Sequence, residues 1–314
     1  MQSMRHGWLA LSLSLVLGAC GQAETHGQVG TGIDTGSNTS TDTGSGSESD
    51  ISTDTGTDTG TDAGSTEDAM VLVPAGSFWM GCHEAVDHEC LDDERPYHEV
   101  TLDAFYIDTY EVRAAQFRTC VLLGRCTYGG PMNDSDDGGW GVFRNYNTGR
   151  DNHPVNYVNW FEAKKFCEAY GKRLPTEAEW ERAARGTDGR KYPWGNSPLV
   201  SCDYAVMDDG GWGCGSDQTM EVGSRPLGVS PEGAHDMLGN VYEWTADAYD
   251  SGYFAQTPDG GWVNPSGPDN GEYRLLRGGS SFYDGVDAFR ASSRNYNTPS
   301  FRNFVNGFRC AKSL

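Results

Sequence analysis

Residues 153–186 read HPVNYVNWFEAKKFCEAYGKRLPTEAEWERAARG, and this stretch decides how the rest of the chain is read. Trp160, Ala163, Cys167 and Tyr170 recur at helical spacing with Phe166 alongside, which predicts a helix from about Trp160 to Tyr170. Asn159 stands at its N-cap, and Gly171 can take the left-handed conformation that ends it. A second helix starts at Thr176. Thr176-x-x-Glu179 is a capping box, in which each side chain satisfies a backbone N–H of the other residue. Pro175 and Trp180 occupy the hydrophobic-staple positions around it.

Outward from these helices, a third is expected over Ala114–Leu123, ending at Gly124. Val71–Met80 and Val100–Ile107 alternate in part and read as strands. Turn signals are dense, at Gly129-Gly130, Asp137-Gly138-Gly139, Asp209-Gly210-Gly211 and Asp259-Gly260-Gly261. The class is α+β, loop-rich, with little regular secondary structure. Residues 70–314 contain no low-complexity stretch, so they read as one domain, long enough to bury a sizeable core.

The N-terminal part reads differently. Residues 1–20 carry a weakly basic start at Arg5 and His6 and an apolar run from Trp8 to Ala19, too short to span a bilayer. The run ends in Leu17-Gly18-Ala19-Cys20, which resembles a bacterial lipobox with Cys20 as the lipidated residue. Gly21 follows it, not Asp, which by resemblance to known sorting favours the outer membrane. Residues 21–69 are a Gly/Ser/Thr/Asp tether with ten acids and no Lys or Arg. Such a segment buries too little apolar surface to offset the entropy of ordering, so it is expected to be disordered. Its expected end-to-end distance is roughly 35–40 Å. The membrane is therefore an expected partner through the N-terminal lipid, and the localisation is the cell envelope.

The whole chain has 314 residues and a formal charge of −22, with 45 acids against 23 Lys and Arg. That balance argues against binding nucleic acid through phosphate neutralisation. Nine cysteines suggest an oxidising compartment. After Cys20, eight remain. Cys82 and Cys90, Cys120 and Cys126, and Cys202 and Cys214 are close in sequence, whereas Cys167 and Cys310 are distant. Spacing alone does not fix the connectivity, but three short loops plus one long closure is the simplest set.

Several segments together resemble the formylglycine-generating enzyme family, also called the sulfatase-modifying factor family. They are VPAGSFWMG at 73–81, the 153–186 stretch, YPWGN at 192–196, DMLGNVYEW at 236–244, RGGS at 277–280 and GFRCA at 307–311. The resemblance covers almost all of residues 70–314. It implies a C-type-lectin-like fold, and a disulfide between the positions of Cys167 and Cys310. In the chain-entropy model that closure contributes about 4–5 kcal/mol.

Enzymes of the family oxidise a substrate cysteine with O₂, using Cu(I) on two thiolates just after the Gly-Gly-Ser motif. Soft thiolates suit Cu(I). Here the motif runs into Ser280, Ser281, Phe282 and Tyr283, and no cysteine occurs between Cys214 and Cys310. Copper is therefore not expected, and Ser280, Ser281, Tyr283, Arg290 and Arg294 are read as the lining of a former active-site groove. The resemblance also implies a structural calcium on the side chains of Asp236 and Glu243 and the carbonyls of Gly239 and Val241, donors that suit a hard cation. The alternative is a buried Glu paired with an Arg. The family's second calcium site falls near Asp203–Asp217, where Cys202 and Cys214 suggest a disulfide instead. Relatives that oxidise with iron carry a His-x-x-x-His-x-Glu signature, which does not occur in this sequence. His83 and His88, with Glu84, Asp87 and Glu89, could hold a metal or form a solvated acidic loop, and His153 is read as structural.

Arg277, Arg290, Arg294, Arg302 and Arg309 interleave with aromatic residues near the C-terminus. They either grip an extended or anionic ligand or pair internally with the many carboxylates. The expected function is a lipid-anchored, non-copper binding module for a peptide, glycan or envelope partner. The alternatives are an oxidoreductase using another metal, and genuine formylglycine generation.

Overall fold

A computed structural model describes residues 69–314, apart from 134, 136–138, 257, 259–260 and 284. The expected signal segment, Cys20 and all but the last residue of the expected tether lie outside the described residues. Among those described, no helix is long and apolar enough to cross a membrane.

The domain is built on three small sheets. Strands β1 (Met70–Val73) and β10 (Ala311–Ser313) flank β4 (Phe105–Asp108), so both ends of the domain meet on one central strand. Strands β2 (Gly76–Met80), β3 (His98–Leu102) and β6 (Trp262–Val263) form the second sheet. The third has the order β8 (Asn295–Asn297), β7 (Arg274–Arg277), β5 (Tyr242–Ala248), β9 (Asn306–Gly307).

The two expected strands each divide in two. Val71 pairs with Ile107 in the first sheet, while Phe78 pairs with Val100 in the second. The break falls at Pro74, which has no N–H to give a ladder, and at Asp103-Ala104 opposite it. One hydrophobic run thereby serves two sheets.

Helices α1 (Ala114–Leu122), α2 (Trp160–Ala169) and α3 (Glu177–Arg185) lie where the sequence placed them. The Asn159 side chain accepts from the Glu162 N–H, and Glu162 answers on the Asn159 N–H, a second capping box that the sequence reading did not name. Thr176 and Glu179 form the expected one. All nine residues of α3 are buried, including five charged ones, so this helix has no solvent face. Its charges are matched across the fold: Glu181 with Arg185 and Arg277, Glu177 with Arg277 and Arg294, and Arg182 with Glu232. Burial pushes the Glu181 carboxyl up, but Arg277 and Arg185 outweigh it and hold it below its ordinary value.

Four disulfides are present: Cys82–Cys90, Cys120–Cys126, Cys167–Cys310 and Cys202–Cys214. Cys167–Cys310 joins α2 to the residue before β10 across 143 positions, within a cluster that includes Phe117, Phe166 and Phe308.

Candidate functional site

The Gly-Gly-Ser segment crosses the top of the core. Gly278 and Gly279 both take positive φ, at 97° and 76°. A Cβ on Gly278 would lie 3.0 Å from the Met237 carbonyl and 3.2 Å from the Trp180 ring, so the chain passes here only without a side chain. Beyond it, Ser281 N–H donates to the Asn240 carbonyl at 3.0 Å, and the Ser281 carbonyl accepts from Gly213 at 2.7 Å. Ser280 is fully buried and its hydroxyl has no hydrogen-bond partner. Tyr283 is 45% exposed and sets its ring edgewise against Tyr242. The segment is therefore fixed in place, with hydroxyls where soft donors would be needed. All eight cysteines among the described residues are consumed in disulfides, so they offer no free thiol pair.

Beside Ser281 a shallow cavity opens, lined by Phe143, Trp212, Phe282 and Phe304 with Asp217, Gln218 and Thr219. Trp212 lies 3.9 Å from Phe282 between ring centroids, and Trp140 stacks on Phe304 at 5.5 Å. Trp140 is 45% exposed. Trp140, Phe143 and Trp212 were not singled out from the sequence. Trp140 and Phe143 share one short turn and Trp212 comes from another, and only the fold brings the two turns together.

The five residues expected to line one groove do not all share a cavity. Ser281 lines the aromatic cavity, and Arg294 lines a different one with His98, Glu94 and Glu177. Arg290 has no exposure and is held by Glu94 and, at 3.0 Å, by Asp87. Arg294 reaches Glu177 at 2.7 Å. Arg277, Arg302 and Arg309 are paired as well, with Glu177, Glu162 and Glu243. The arginine series is thus internal, which is the second of its two sequence readings. An isolated buried guanidinium is costly, and each of these finds a carboxylate.

Glu243 accepts from Arg309 on both oxygens, at 2.7 Å each, and from the Trp180 indole N–H at 2.9 Å. Its charge is therefore matched by Arg309, the pairing that the sequence left open beside calcium. Asp236 is buried with one oxygen on the Gly223 N–H. Against it lies Glu111, 1% exposed, whose carboxyl faces that of Asp236 and has no other hydrogen-bond partner. The sequence reading passed over Glu111. Its only signal was an acid beside the strand end Phe105–Asp108, far in sequence from Asp236. Gly239 keeps φ at 88°, and Val241 is buried. In the second expected calcium loop, Asp203 is exposed and the Cys202–Cys214 disulfide closes the turn.

The remaining sequence candidates are plain. His83 stacks on Tyr97 at 4.5 Å, and His88 is exposed. Cys82, Asp87 and Cys90 lie together, but their sulfurs are joined to each other. The His153 ring bonds Thr219 through Nδ1 at 2.9 Å, and burial holds its pKa below the ordinary value.

The model of the sulfatase-modifying factor enzyme 1-like domain matches residues 55–314. The formylglycine-generating enzyme of Streptomyces coelicolor is 34% identical, over 77% of this chain and 88% of that protein. Hercynine oxygenase of Mycolicibacterium smegmatis is 30% identical, over 77% of this chain and 60% of its own length. Among solved structures, PvdO from Pseudomonas aeruginosa superposes with a TM-score of 0.64 at 27% identity, covering 79% of this chain and 95% of that one. By sequence and by fold, the chain belongs to the sulfatase-modifying factor family.

Proposed function

We propose that this chain is a lipid-anchored envelope protein whose family domain acts as a non-copper binding module. The observation that carries the reading is the fate of the thiols. The segment after Gly279 supplies Ser280, Ser281 and Tyr283, and every cysteine of the described domain is tied in a disulfide. A Cu(I) ion needs soft donors, and none is free there. What supports binding is the cluster of partly exposed rings beside Ser281, with Asp217 and Gln218 at its rim. Aromatic walls with a few polar groups suit a peptide or a glycan of the envelope.

Two measurements test this. Cu(I) titration against a competing chelator is expected to show no tight site. A Cys-x-Pro-x-Arg peptide incubated with the protein, copper and O₂ is expected to keep its mass. Tight copper binding or a loss of about 18 Da from the peptide, the net of H₂S lost and one oxygen gained from O₂ as thiol becomes aldehyde, sinks the reading. A second reading, an oxidoreductase using another metal, draws support from the kinship with hercynine oxygenase. Stoichiometric iron in the purified protein favours it.

A further inference from the structure

Helices α1 and α2 pack side by side. Phe117 stacks on Phe166 at 5.5 Å, and Phe166 meets Tyr170 at 4.9 Å. The outer residues of both helices therefore belong to one side of the domain. Here α1 ends in two bare leucines, Leu122 at 79% exposure and Leu123 at 58%. The turn that carries them is fixed. Cys120–Cys126 closes it, and the N–H groups of Leu123, Gly124 and Arg125 donate to the carbonyls of Thr119, Val121 and Cys120.

Charge on this side runs against the rest of the chain. Residues 112–133 hold Arg113, Arg118 and Arg125 and no acid, and residues 160–174 hold Lys164, Lys165, Lys172 and Arg173 against Glu162 and Glu168. The other long stretch without an acid, 288–314, spends its four arginines on the buried carboxylates of Glu94, Glu177, Glu162 and Glu243. Its lysine, Lys312, stays exposed on β10, the strand that Arg173 joins through backbone bonds of 2.8 and 2.7 Å to Ala311. The acids nearby are occupied: Glu168 by Lys164, Asp151 by Arg118, Asp108 by Lys172 and Glu179 by Arg173. Arg125, Lys165 and Lys312 are exposed and have no carboxylate partner among the described residues.

The chain enters the domain at this same side. The Ala69 carbonyl accepts from Thr109, Met70 pairs with Asp108, and Asp108 takes Lys172 from the end of α2 at 2.8 Å. We propose that the α1–α2 side docks on an anionic phospholipid surface. Leu122 and Leu123 enter the headgroup region, while Arg125, Lys165 and Lys312 keep their charges at the level of the phosphates. A fixed pair of exposed leucines ringed by cations, in a chain that is otherwise strongly acidic, has the chemistry of such a surface. The inference rests on the lipid-anchored reading for a membrane close at hand. An anchor at Cys20 with a tether of roughly 35–40 Å keeps the bilayer within reach, so a weak contact suffices.

The test uses the mature chain, residues 20–314 with Cys20→Ser, which carries neither the signal segment nor an acyl group. Its flotation with phosphatidylglycerol vesicles is compared with that on phosphatidylcholine vesicles. Binding to the anionic vesicles is expected to be stronger by about tenfold or more and to fall with added salt. Leu122→Ser with Leu123→Ser should weaken it about tenfold, and Lys165→Glu with Lys312→Glu should weaken it as much and flatten the salt dependence. Leu199→Ser, at a leucine 67% exposed outside this patch, should change nothing. All these positions are exposed, so the variants are expected to keep the wild-type Tm, which separates a lost contact from a misfolded chain. Equal flotation on both vesicles, or none on either, overturns the proposal. Wild-type binding in both patch variants also overturns it, because another face is then responsible. The acyl group at Cys20 is read separately, from the mass of the N-terminal peptide of the envelope protein, so a missing anchor and an inert patch are told apart.

Discussion

Arg309 holds Glu243 through two parallel N–H···O bonds of 2.7 Å, and neither side chain is more than 1% exposed. The fork geometry fixes orientation as well as charge. Arg309→Met leaves the Glu243 charge buried beside Asp236 and Glu111, and is expected to cost about 3–5 kcal/mol. Urea unfolding midpoints check this. Arg309→Lys should recover only part of the loss, because an ammonium cannot span both oxygens.

The long and the short disulfides should differ in weight. Removing Cys167–Cys310 by a double Ala substitution opens a closure of 143 positions, with an expected loss of about 5 kcal/mol. Removing Cys82–Cys90, 8 positions apart, should cost about 2–3 kcal/mol by the same chain-entropy reasoning. Denaturant unfolding of the two variants, compared with the wild type, tests the order.

Asp247 gives a pH signature. Burial, reinforced by the charge of Glu177, pushes its carboxyl up to about 8, against roughly 3.9 in an unfolded chain. Between those values the folded state holds more protons than the unfolded one, so this group's contribution to stability falls as pH rises from about 4 to about 8. Below that window both states are protonated and the contribution is constant. Asp247→Asn keeps an oxygen to accept the Glu177 N–H, a 2.7 Å bond in the wild type. The variant should therefore gain on the wild type progressively between pH 5 and pH 8.5, at roughly these limits of the window. Parallel midpoints at the two pH values that do not separate would refute it.

Gly239 combines a φ of 88° with a close approach: an added Cβ would sit 2.5 Å from the Val206 carbonyl. Gly239→Ala should cost at least about 1–3 kcal/mol from the backbone alone, with more from the clash. Thermal unfolding measures it, and a loss below that range would show that the loop can move aside.

Much of the framework was legible because local signals are short-range. Asn159, Thr176 and Gly171 mark helix ends through bonds to residues a few positions away, so sequence spacing carries them. The division of the strands was not legible: the two runs pair in one register on both sides of Pro74 and Asp103, and the sheet each half joins is set by β10 and β6, which come from far along the chain. The five-residue groove failed for the same reason. Arg290 and Arg294 look like ligand-binding groups in a string of residues, and only folding reveals that Glu94, Asp87 and Glu177 reach them first.

The sequence by itself determined the family, the helices of the 153–186 stretch and the lack of cysteines after the Gly-Gly-Ser turn, because residue identities and short spacings are one-dimensional facts. Only the tertiary structure decided which charges are spent. Glu111 and Asp236 are 125 positions apart in the chain and lie against each other in the fold, while Glu243 is taken by Arg309. Charge compensation depends on distance in space and on burial, and neither is written in the order of the residues.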